Sequence, residues 1–246
     1  MLSPFVAAAL VSKPLVLMIH GAGGGGWEYQ VWKPVFERAG YRVIAQDLVP
    51  AQGGLEFTTF NDYVGQIERW SNQKPNVIIG ASMGGMLALK AAEHLHPRAL
   101  VLVSSTLPTQ VKTGKPGTYP NIVRWANGPY KDTVESMPDT DDSPRRFAWK
   151  HWRDESGSVL NAISGGIEAA KPCCPVLSII PEKDESIAPA HQMLLAKWAH
   201  AKVLTYRGMS HVGPLMSRRA ANVAKDTLKW LRTTIVSAKG KHPEQS

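Results

Sequence analysis

The turn around Ser82 constrains the fold of this chain more than any other sequence feature. The apolar run Val77–Ile79 is followed by apolar residues at every fourth position of the stretch Met83–Leu95. This pattern predicts a buried strand that turns directly into a helix, with the serine held out at the turn. Gly80 and Gly84 lie two residues to either side, where we expect that a side chain would collide with the neighbouring backbone.

A serine in such a turn is usually forced into an unfavourable backbone conformation that costs about 1–3 kcal/mol, and function is a common reason for that strain. The sequence Gly-Ala-Ser-Met-Gly at 80–84 can also arise by chance, because only three of its positions are fixed. It is informative where a strand precedes it, a helix follows it, and an acid and a histidine come later, each beyond a strand of its own.

Length and composition favour one globular domain. The 246 residues suit a single large α/β domain, and 43% apolar with 20% charged residues is ordinary for a folded protein that does not span a membrane. The net charge of +8 is spread along the chain without a dense basic block. We therefore expect a solvated surface, with neither nucleic acid nor a membrane as a partner.

Two local features bear on the cellular setting. The only cysteines, Cys173 and Cys174, are adjacent, and neighbouring residues are rarely placed for an unstrained disulfide. The apolar run Phe5–Val11 is short for a secretory signal, and no Lys or Arg precedes it. The sequence therefore predicts no disulfide framework and a cytoplasmic location.

The glycine-rich stretch His20–Trp27 follows the first apolar run and allows more than one functional interpretation. Gly21, Gly23 and Gly26 fit the G-x-G-x-x-G pattern of dinucleotide-binding folds, and Asp47 follows 21 residues after the last of them. A dinucleotide-dependent reductase is therefore one functional interpretation of this stretch. A Walker A loop is excluded, because no Gly-Lys-Ser/Thr follows the glycines.

Pro34 argues against the dinucleotide interpretation, because it would fall deep inside a helix that began within the glycines. A loop followed by a helix from about Val31 to Ala39 instead places this proline in the first helical turn. A flexible, glycine-lined loop can direct backbone N–H groups at a developing oxyanion without any side chain. A plain connector is a third interpretation, although four consecutive glycines carry a large ordering penalty.

The remaining apolar runs alternate with helical patterns, which is typical of an α/β fold. We predict buried parallel strands at Leu15–Ile19, Tyr41–Ala45, Val77–Ile79, Ala99–Val103, Pro175–Ile180 and Lys202–Tyr206. We predict further helices at Thr59–Gln73, Pro189–Trp198 and about Leu215–Ile235, and a disordered tail from Ser237 onwards. Asp47 lies in a turn-rich loop and is expected to fix that loop through local hydrogen bonds.

Residues 107–172 depart from this alternation of predicted strands and helices. They hold seven of the 18 prolines and several aromatic residues, and an unstructured loop of that length is implausible in a compact domain. We interpret the segment as an inserted helical lid over the strand ends, with Trp125, Trp149 and Trp152 lining a substrate pocket. His151 lies between two of these tryptophans, a position that suits packing of the lid as well as catalysis.

A histidine and an acid are available to activate Ser82. Serine is a poor nucleophile at neutral pH, so it needs a histidine to accept its proton and an acid to orient that histidine. His211 follows the last predicted strand, and Glu182, Asp184 and Glu185 follow the strand before it. Because the carboxyl ends of parallel strands meet at one edge of a sheet, the serine, the histidine and one of the acids are expected to converge there.

With these motifs the chain resembles the α/β-hydrolase superfamily. The matching motifs are His20-Gly21-Ala22, Gly-Ala-Ser-Met-Gly at 80–84, the Asp184 loop and Ser210-His211. The resemblance covers about residues 15–106 and 173–236. It implies a three-layer fold with a mostly parallel sheet of about six strands, a core formed by residues 1–106 and 173–236, a lid at 107–172 and a tail at 237–246.

The same resemblance implies roles for particular residues. Asp184 lies five residues before a proline, as the acid does in the D-x-x-x-x-P setting of the family, so it is favoured over its two neighbours. Ser82, Asp184 and His211 would then form the catalytic triad, and the backbone N–H groups of Ala22 and Met83 the oxyanion hole. Neither a cofactor nor a metal is implied.

Within the superfamily, the sequence is similar to the plant methylesterase and hydroxynitrile-lyase group in two features. Strands are nearly absent before Leu15, and the stretch Leu48–Ala51 contains no glycine. Cyanohydrin-cleaving members carry a lysine directly after the catalytic histidine, whereas Val212 stands there in this chain. The resemblance therefore predicts a serine hydrolase that cleaves small to medium-sized carboxylic esters through an acyl-enzyme on Ser82. Alternatives are a lactonase, a thioesterase or a hydroxynitrile lyase on the same triad, and a non-catalytic sensor of small molecules. The sequence leaves the oligomeric state open.

Overall fold

A six-stranded sheet forms the centre of the chain in the computed structural model, which describes residues 12–112 and 114–239. The strands of the described residues are β1 (Leu15–Ile19), β2 (Arg42–Ile44), β3 (Val77–Ala81), β4 (Ala99–Val103), β5 (Ile122–Val123), β6 (Glu155–Ser156), β7 (Val176–Lys183) and β8 (Lys202–Ser210). The sheet order is β2-β1-β3-β4-β7-β8, and each neighbouring pair is parallel. The predicted α/β class and number of strands are confirmed.

Helices cover both faces of this sheet. They are α1 (Trp32–Arg38), α2 (Phe60–Arg69), α3 (Met83–Leu95), α4 (Tyr130–Ser136), α5 (Asp142–His151), α6 (Gly157–Gly165), α7 (Pro189–Trp198), α8 (Gly213–Met216) and α9 (Ala220–Lys239). One apolar cluster joins α1 and α9 to the sheet, and a second joins α2, α3 and α7 to the opposite face. Successive residues of β1 alternate between the two clusters, which is why the whole strand is apolar.

Two predicted helices and the predicted tail differ from the observed structure at their ends. The helix α2 begins with a capping box on Thr59 but ends at Arg69, before the bend at Asn72-Gln73. The predicted final helix is two helices, because the chain becomes extended at Ser217 between α8 and α9. The helix α9 runs to Lys239, so a disordered tail does not begin at Ser237 as predicted.

Several expectations fall on residues that the structure does not describe. These are the apolar run Phe5–Val11 and the tail at 240–246. Within 12–112 and 114–239, none of the helices combines the length and the apolar character needed to cross a membrane.

The segment 107–172 folds into helices α4, α5 and α6 and a small antiparallel pair of strands, β5 with β6. Several hydrogen bonds join it to the main sheet region, including those of Asp139 and Arg153. Asp139 accepts from the backbone N–H of Ser210 at 3.1 Å and from its hydroxyl at 2.5 Å. Arg153 donates its backbone N–H to the Gly23 carbonyl at 2.8 Å. A lid function for this segment stays a prediction.

Helix α3 begins so close to the sheet that glycine is required at two places. A methyl group on Gly80 would lie 2.1 Å from the Gly84 carbonyl oxygen. A methyl group on Gly84 would lie 2.3 Å from the Ile19 carbonyl oxygen. Backbone atoms cannot move aside as a flexible side chain can, so the collision predicted from the sequence is confirmed.

We expect Gly84→Ala to lower the free energy of unfolding by about 3 kcal/mol, because β1 and α3 must separate to admit the methyl group. Gly65→Ala is the matched control. It lies in the middle of α2, where a methyl group would meet only the end of the Arg69 side chain, so a gain of about 0.5–1 kcal/mol is expected there. Urea denaturation of both variants measures the difference. Equal stability of Gly84→Ala and the wild type would contradict the proposed constraint.

Candidate active site

Ser82 occupies a strained turn between β3 and α3. Its backbone has φ 53° and ψ −119°, a conformation that non-glycine residues rarely adopt and that costs about 1–3 kcal/mol. The turn is held on both sides: the Ser82 N–H donates to the Val103 carbonyl at 2.9 Å, and its carbonyl accepts from the Thr106 N–H at 3.2 Å. The side chain is thereby directed into a cavity above the sheet edge.

His211 and Asp184 form a hydrogen-bonded pair beside the same cavity. The Nδ1 atom of His211 lies 2.9 Å and 2.8 Å from the two carboxylate oxygens of Asp184, whose side chain is fully buried. Glu182 and Glu185, the competing carboxylates, are exposed. The structure thus brings together the acid and the histidine that the sequence favoured.

The Asp184 carboxylate has three further donors. Its Oδ1 accepts from the backbone N–H groups of Ser186 at 2.9 Å and Ile187 at 2.8 Å, and its Oδ2 accepts from Gln192 Nε2 at 2.7 Å. Together with the histidine these donors fix the orientation of the carboxylate. Sequence analysis did not identify Gln192, although it lies on α7, eight residues after Asp184.

Gln192 itself is buried, and its amide oxygen has no hydrogen-bond partner among residues 12–112 and 114–239. Only 1% of the residue is exposed, and Nε2 also donates to the Ile187 carbonyl at 2.7 Å. The opposite amide orientation would turn the oxygen towards two acceptors, so the neighbours fix the observed one. An unpaired buried oxygen costs free energy of folding, and here the other end of the amide holds Asp184 in place.

Ser82 and His211 line one cavity of about 800 Å³. The end of β4 connects them, because Val103 accepts the Ser82 N–H and the neighbouring Ser104 hydroxyl donates to the His211 carbonyl at 2.8 Å. The three tryptophans predicted from the sequence, Trp125, Trp149 and Trp152, also line this cavity.

His151 is not part of the cavity lining in the described residues. Its ring stacks on Phe147 at 3.8 Å between ring centroids, and its Nδ1 lies 2.7 Å from the Phe147 carbonyl oxygen. The structure therefore favours packing over catalysis for this histidine.

The Gly21–Gly26 loop is held at nearly every peptide, contrary to the flexible loop expected from its glycines. Its N–H groups donate to Glu28 at 3.0 Å, to Glu155 at 3.1 Å and to Asp47 at 2.7 Å. Its carbonyls accept from Arg153, through the backbone N–H at 2.8 Å and through Nε at 2.7 Å. Groups that are remote in sequence therefore offset the ordering penalty of the glycines.

Asp47 differs from its predicted local role. Its carboxylate reaches the N–H of Gly26, 21 residues earlier, and lies 3.5 Å from the Arg153 guanidinium. The helix α1 begins only at Trp32, and a short 3-10 turn at Gly26–Tyr29 precedes it, so no α-helix opens within the glycines as a dinucleotide-binding motif requires. This geometry argues against the reductase interpretation.

His20 orients the peptide that links Gly21 to Ala22. Its Nε2 accepts from the Leu48 N–H at 2.9 Å, so its Nδ1 carries the proton and donates to the Gly21 carbonyl at 2.7 Å. Burial lowers the pKa of His20 to about 4, which keeps the ring neutral. Because the peptide is trans, fixing the Gly21 carbonyl directs the Ala22 N–H the opposite way.

The N–H groups of Ala22 and Met83 are both free for a ligand. Among residues 12–112 and 114–239, no hydrogen bond uses either of these donors, and both residues line the cavity. Met83 is the first residue of α3, where the helix dipole also favours negative charge. The resemblance implied that these two donors form an oxyanion hole, and that role is a proposal.

Glu28 is a buried acid that sequence analysis missed. It is 5% exposed and lines the cavity, and its Oε2 accepts the Gly21 N–H. Burial raises the pKa of Glu28 to about 7. No periodicity or motif marks this residue in the sequence, since Glu28 lies in a single turn of 3-10 helix between the glycine loop and α1.

We expect Glu28→Gln to gain stability relative to the wild type as pH rises from 4.5 to 7. The pKa of Glu28 is higher in the folded wild type than in the unfolded chain, so the folded state binds more protons in this window. The contribution of Glu28 to the free energy of unfolding therefore falls as pH rises. The difference approaches about 3 kcal/mol for a shift of this size. Urea denaturation at several pH values measures it. The opposite contribution of His20 is common to both proteins, and a pH-independent difference would contradict the assignment.

Comparisons with known proteins agree with this arrangement. The sequence profile of the alpha/beta hydrolase family matches residues 16–226. The chain is 25% identical to a thermostable monoacylglycerol lipase of Bacillus sp. (strain H-257) over 215 residues, which cover 81% of this chain and 83% of the lipase. It is 32% identical to salicylic acid-binding protein 2 of Nicotiana tabacum over 106 residues, 39% of this chain, and spans only 40% of that protein.

The fold is also found among solved structures. The crystal structure of tomato methylketone synthase I in complex with 2-tridecanone superposes with a TM-score of 0.71 and is 18% identical, covering 91% of this chain and 99% of that one. At this identity the likeness concerns the fold alone. Because the family profile covers most of the chain and the sheet has the expected parallel order, the chain belongs to the α/β-hydrolase family.

Proposed function

We propose that the chain is a serine hydrolase that cleaves carboxylic esters of small to medium size through an acyl-enzyme on Ser82. The observation that carries this proposal is the strained Ser82 turn, which opens into the same cavity as a histidine paired with a buried aspartate. A strained backbone is retained where the surrounding structure enforces it, commonly at a reactive group.

In the first half of the reaction, the Ser82 hydroxyl oxygen attacks the ester carbonyl carbon and its proton passes to Nε2 of His211. Asp184 is hydrogen-bonded to the other ring nitrogen, so it orients the ring and stabilises the imidazolium. Collapse of the tetrahedral intermediate breaks the bond to the alcohol oxygen. The histidine returns the proton to this oxygen, and the alcohol leaves.

In the second half, a water molecule attacks the acyl-enzyme while His211 accepts its proton. The carboxylic acid is released and the Ser82 hydroxyl is restored. In both halves the negative oxygen of the intermediate accepts from the N–H groups of Ala22 and Met83. These donors need little reorganisation, because His20 fixes one peptide and the start of α3 fixes the other.

The cavity supports a substrate with an apolar acyl or alcohol part. Its volume of about 800 Å³ is that of a small-molecule site, and its walls include Trp125, Trp149, Trp152, Leu160 and Ile163. Ester hydrolysis is also consistent with the lipase relative. Val212 follows His211 where cyanohydrin-cleaving members carry a lysine, which favours hydrolysis over lyase chemistry.

We expect a fluorophosphonate probe to label the wild type on Ser82 and Ser82→Ala not at all, as read by mass spectrometry of peptides. The same preparations should hydrolyse p-nitrophenyl esters, with Ser82→Ala losing on the order of 10⁴-fold or more in kcat. Labelling on another residue, or full esterase activity in Ser82→Ala, would reject the mechanism. A wild type that binds esters without labelling or turnover would instead support a non-catalytic sensor.

We expect Gln192→Met to lower kcat about tenfold with little change in KM, because Asp184 loses a donor that fixes its orientation. Its free energy of unfolding should change by less than about 1 kcal/mol, since the variant also removes an unpaired buried oxygen. Gln66→Met is the matched control. That glutamine bonds through its amide to the Val49 backbone, away from the cavity, and its loss should leave kcat unchanged.

Steady-state kinetics and urea denaturation separate the two properties of Gln192→Met. A variant that loses stability and activity together, in the same proportion, would indicate that Gln192 serves only the packing of α7.

A further inference from the structure

Glu28 lies beside the nucleophile, although the proposed mechanism gives it no task. Its Oε2 accepts the Gly21 N–H at 3.0 Å, and the residue lines the same cavity as Ser82. A methyl group on Gly21 would lie 3.3 Å from Ser82 Cβ and 3.8 Å from Glu28 Oε2. Only the backbone of one glycine therefore separates this carboxyl from the serine.

Its hydrogen bond controls a peptide next to the proposed oxyanion donor. Glu28 fixes the N–H of Gly21, while His20 fixes the carbonyl of the same residue. Between them these two side chains set both peptide planes that lead to the Ala22 N–H. A change in the Glu28 contact would therefore move a donor that acts directly on the intermediate.

The charge of Glu28 depends on its surroundings. Burial is the largest influence and raises the pKa of this carboxyl to about 7. The titratable and charged groups around it are neutral His20 after β1, Tyr29 on its own turn, Asp47 after β2, Arg153 of the 107–172 segment and His211 after β8. Arg153 and His211 favour the ionised carboxylate and Asp47 opposes it, yet burial outweighs them.

An ionised Glu28 would act on two developing charges of opposite sign. It would repel the oxyanion at the Ala22 N–H and attract the imidazolium of His211. Glu28 hydrogen-bonds to the peptide that neighbours Ala22, whereas no hydrogen bond of the described residues joins it to His211. The imidazolium is also compensated by Asp184 in direct contact. Repulsion of the oxyanion therefore prevails.

We propose that Glu28 is a positioning residue that works in its neutral form, by holding the Gly21 amide beside the oxyanion site, and that its ionisation limits the reaction on the alkaline side. This inference rests on the proposed function of Ser82. A charge a few ångströms from the oxyanion, with the screening usual in proteins, changes the rate on the order of tenfold or more.

The test measures kcat/KM for p-nitrophenyl butyrate between pH 5.5 and 9, at the isosbestic wavelength of p-nitrophenol, in the wild type and two variants. Glu28→Gln retains an oxygen that can accept the Gly21 N–H but cannot ionise. Glu28→Met retains the length of the side chain but offers no acceptor. Circular dichroism and thermal unfolding confirm that each variant is folded.

We expect the wild-type kcat/KM to fall by about tenfold above pH 7 and the Glu28→Gln profile to stay level there. Glu28→Met should show a lower kcat at every pH with little change in KM, and Gln should restore it. The inference is overturned if Glu28→Gln keeps the alkaline fall, or if Glu28→Met has the kcat of the wild type.

Fluorophosphonate labelling in the same samples distinguishes the two levels of the proposal. Wild-type protein that labels on Ser82, together with identical pH profiles for wild type and Glu28→Gln, would reject the role of Glu28 alone. Absence of Ser82 labelling in the folded wild type would reject the proposed function, and the role of Glu28 with it.

Discussion

The close contact of β1, β3 and α3 is the constraint on which the rest of the structure depends. A methyl group on Gly80 or Gly84 would lie 2.1 Å or 2.3 Å from a carbonyl oxygen, so the helix can start where it does only with glycine at both positions. That start forces Ser82 to a φ of 53°. The strain is sustained because two apolar clusters fix the sheet and the helix independently of the turn. It also leaves the first N–H of α3 unpaired at the edge of the cavity, where an anion can accept from it.

The Gly21–Gly26 loop differs from the strained Ser82 turn, since its glycines have a large conformational freedom that other residues must restrict. Four consecutive glycines are ordered by side chains that are up to 132 residues away, with Glu155 accepting from one N–H and Arg153 donating to one carbonyl. Both of these side chains belong to the 107–172 segment. The segment that lines part of the cavity therefore also holds the loop that supplies the proposed oxyanion donor. Its Asp139 accepts a hydrogen bond from Ser210, the residue before His211. Movement of this segment would disturb catalytic geometry as well as access.

Sequence analysis predicted the parts of this site that depend on local pattern and chain order. The apolar runs predicted the strands of the main sheet, and Pro34 predicted the start of α1. Chain order alone left three carboxylates open after β7, and the family resemblance, through the proline five residues after Asp184, favoured Asp184 over its two neighbours. It missed Glu28 and Gln192, whose roles depend on burial and on partners that only the folded chain brings near. Glycine content wrongly indicated a flexible loop, because composition reports the intrinsic freedom of a backbone and not the hydrogen bonds that other segments impose on it.

The two titratable groups on either side of Gly21 show how burial sets the electrostatics of the site. The pKa of His20 falls to about 4 and that of Glu28 rises to about 7, so both are neutral over the intervening range. Each change has the same cause, since removal from water disfavours the charged form of a base and of an acid alike. A charged residue in either place would add a fixed charge beside the proposed oxyanion site. In the proposed mechanism, neutral hydrogen-bonding groups would hold the Ala22 N–H in position and leave the dipoles of the peptide backbone as the dominant field on the intermediate.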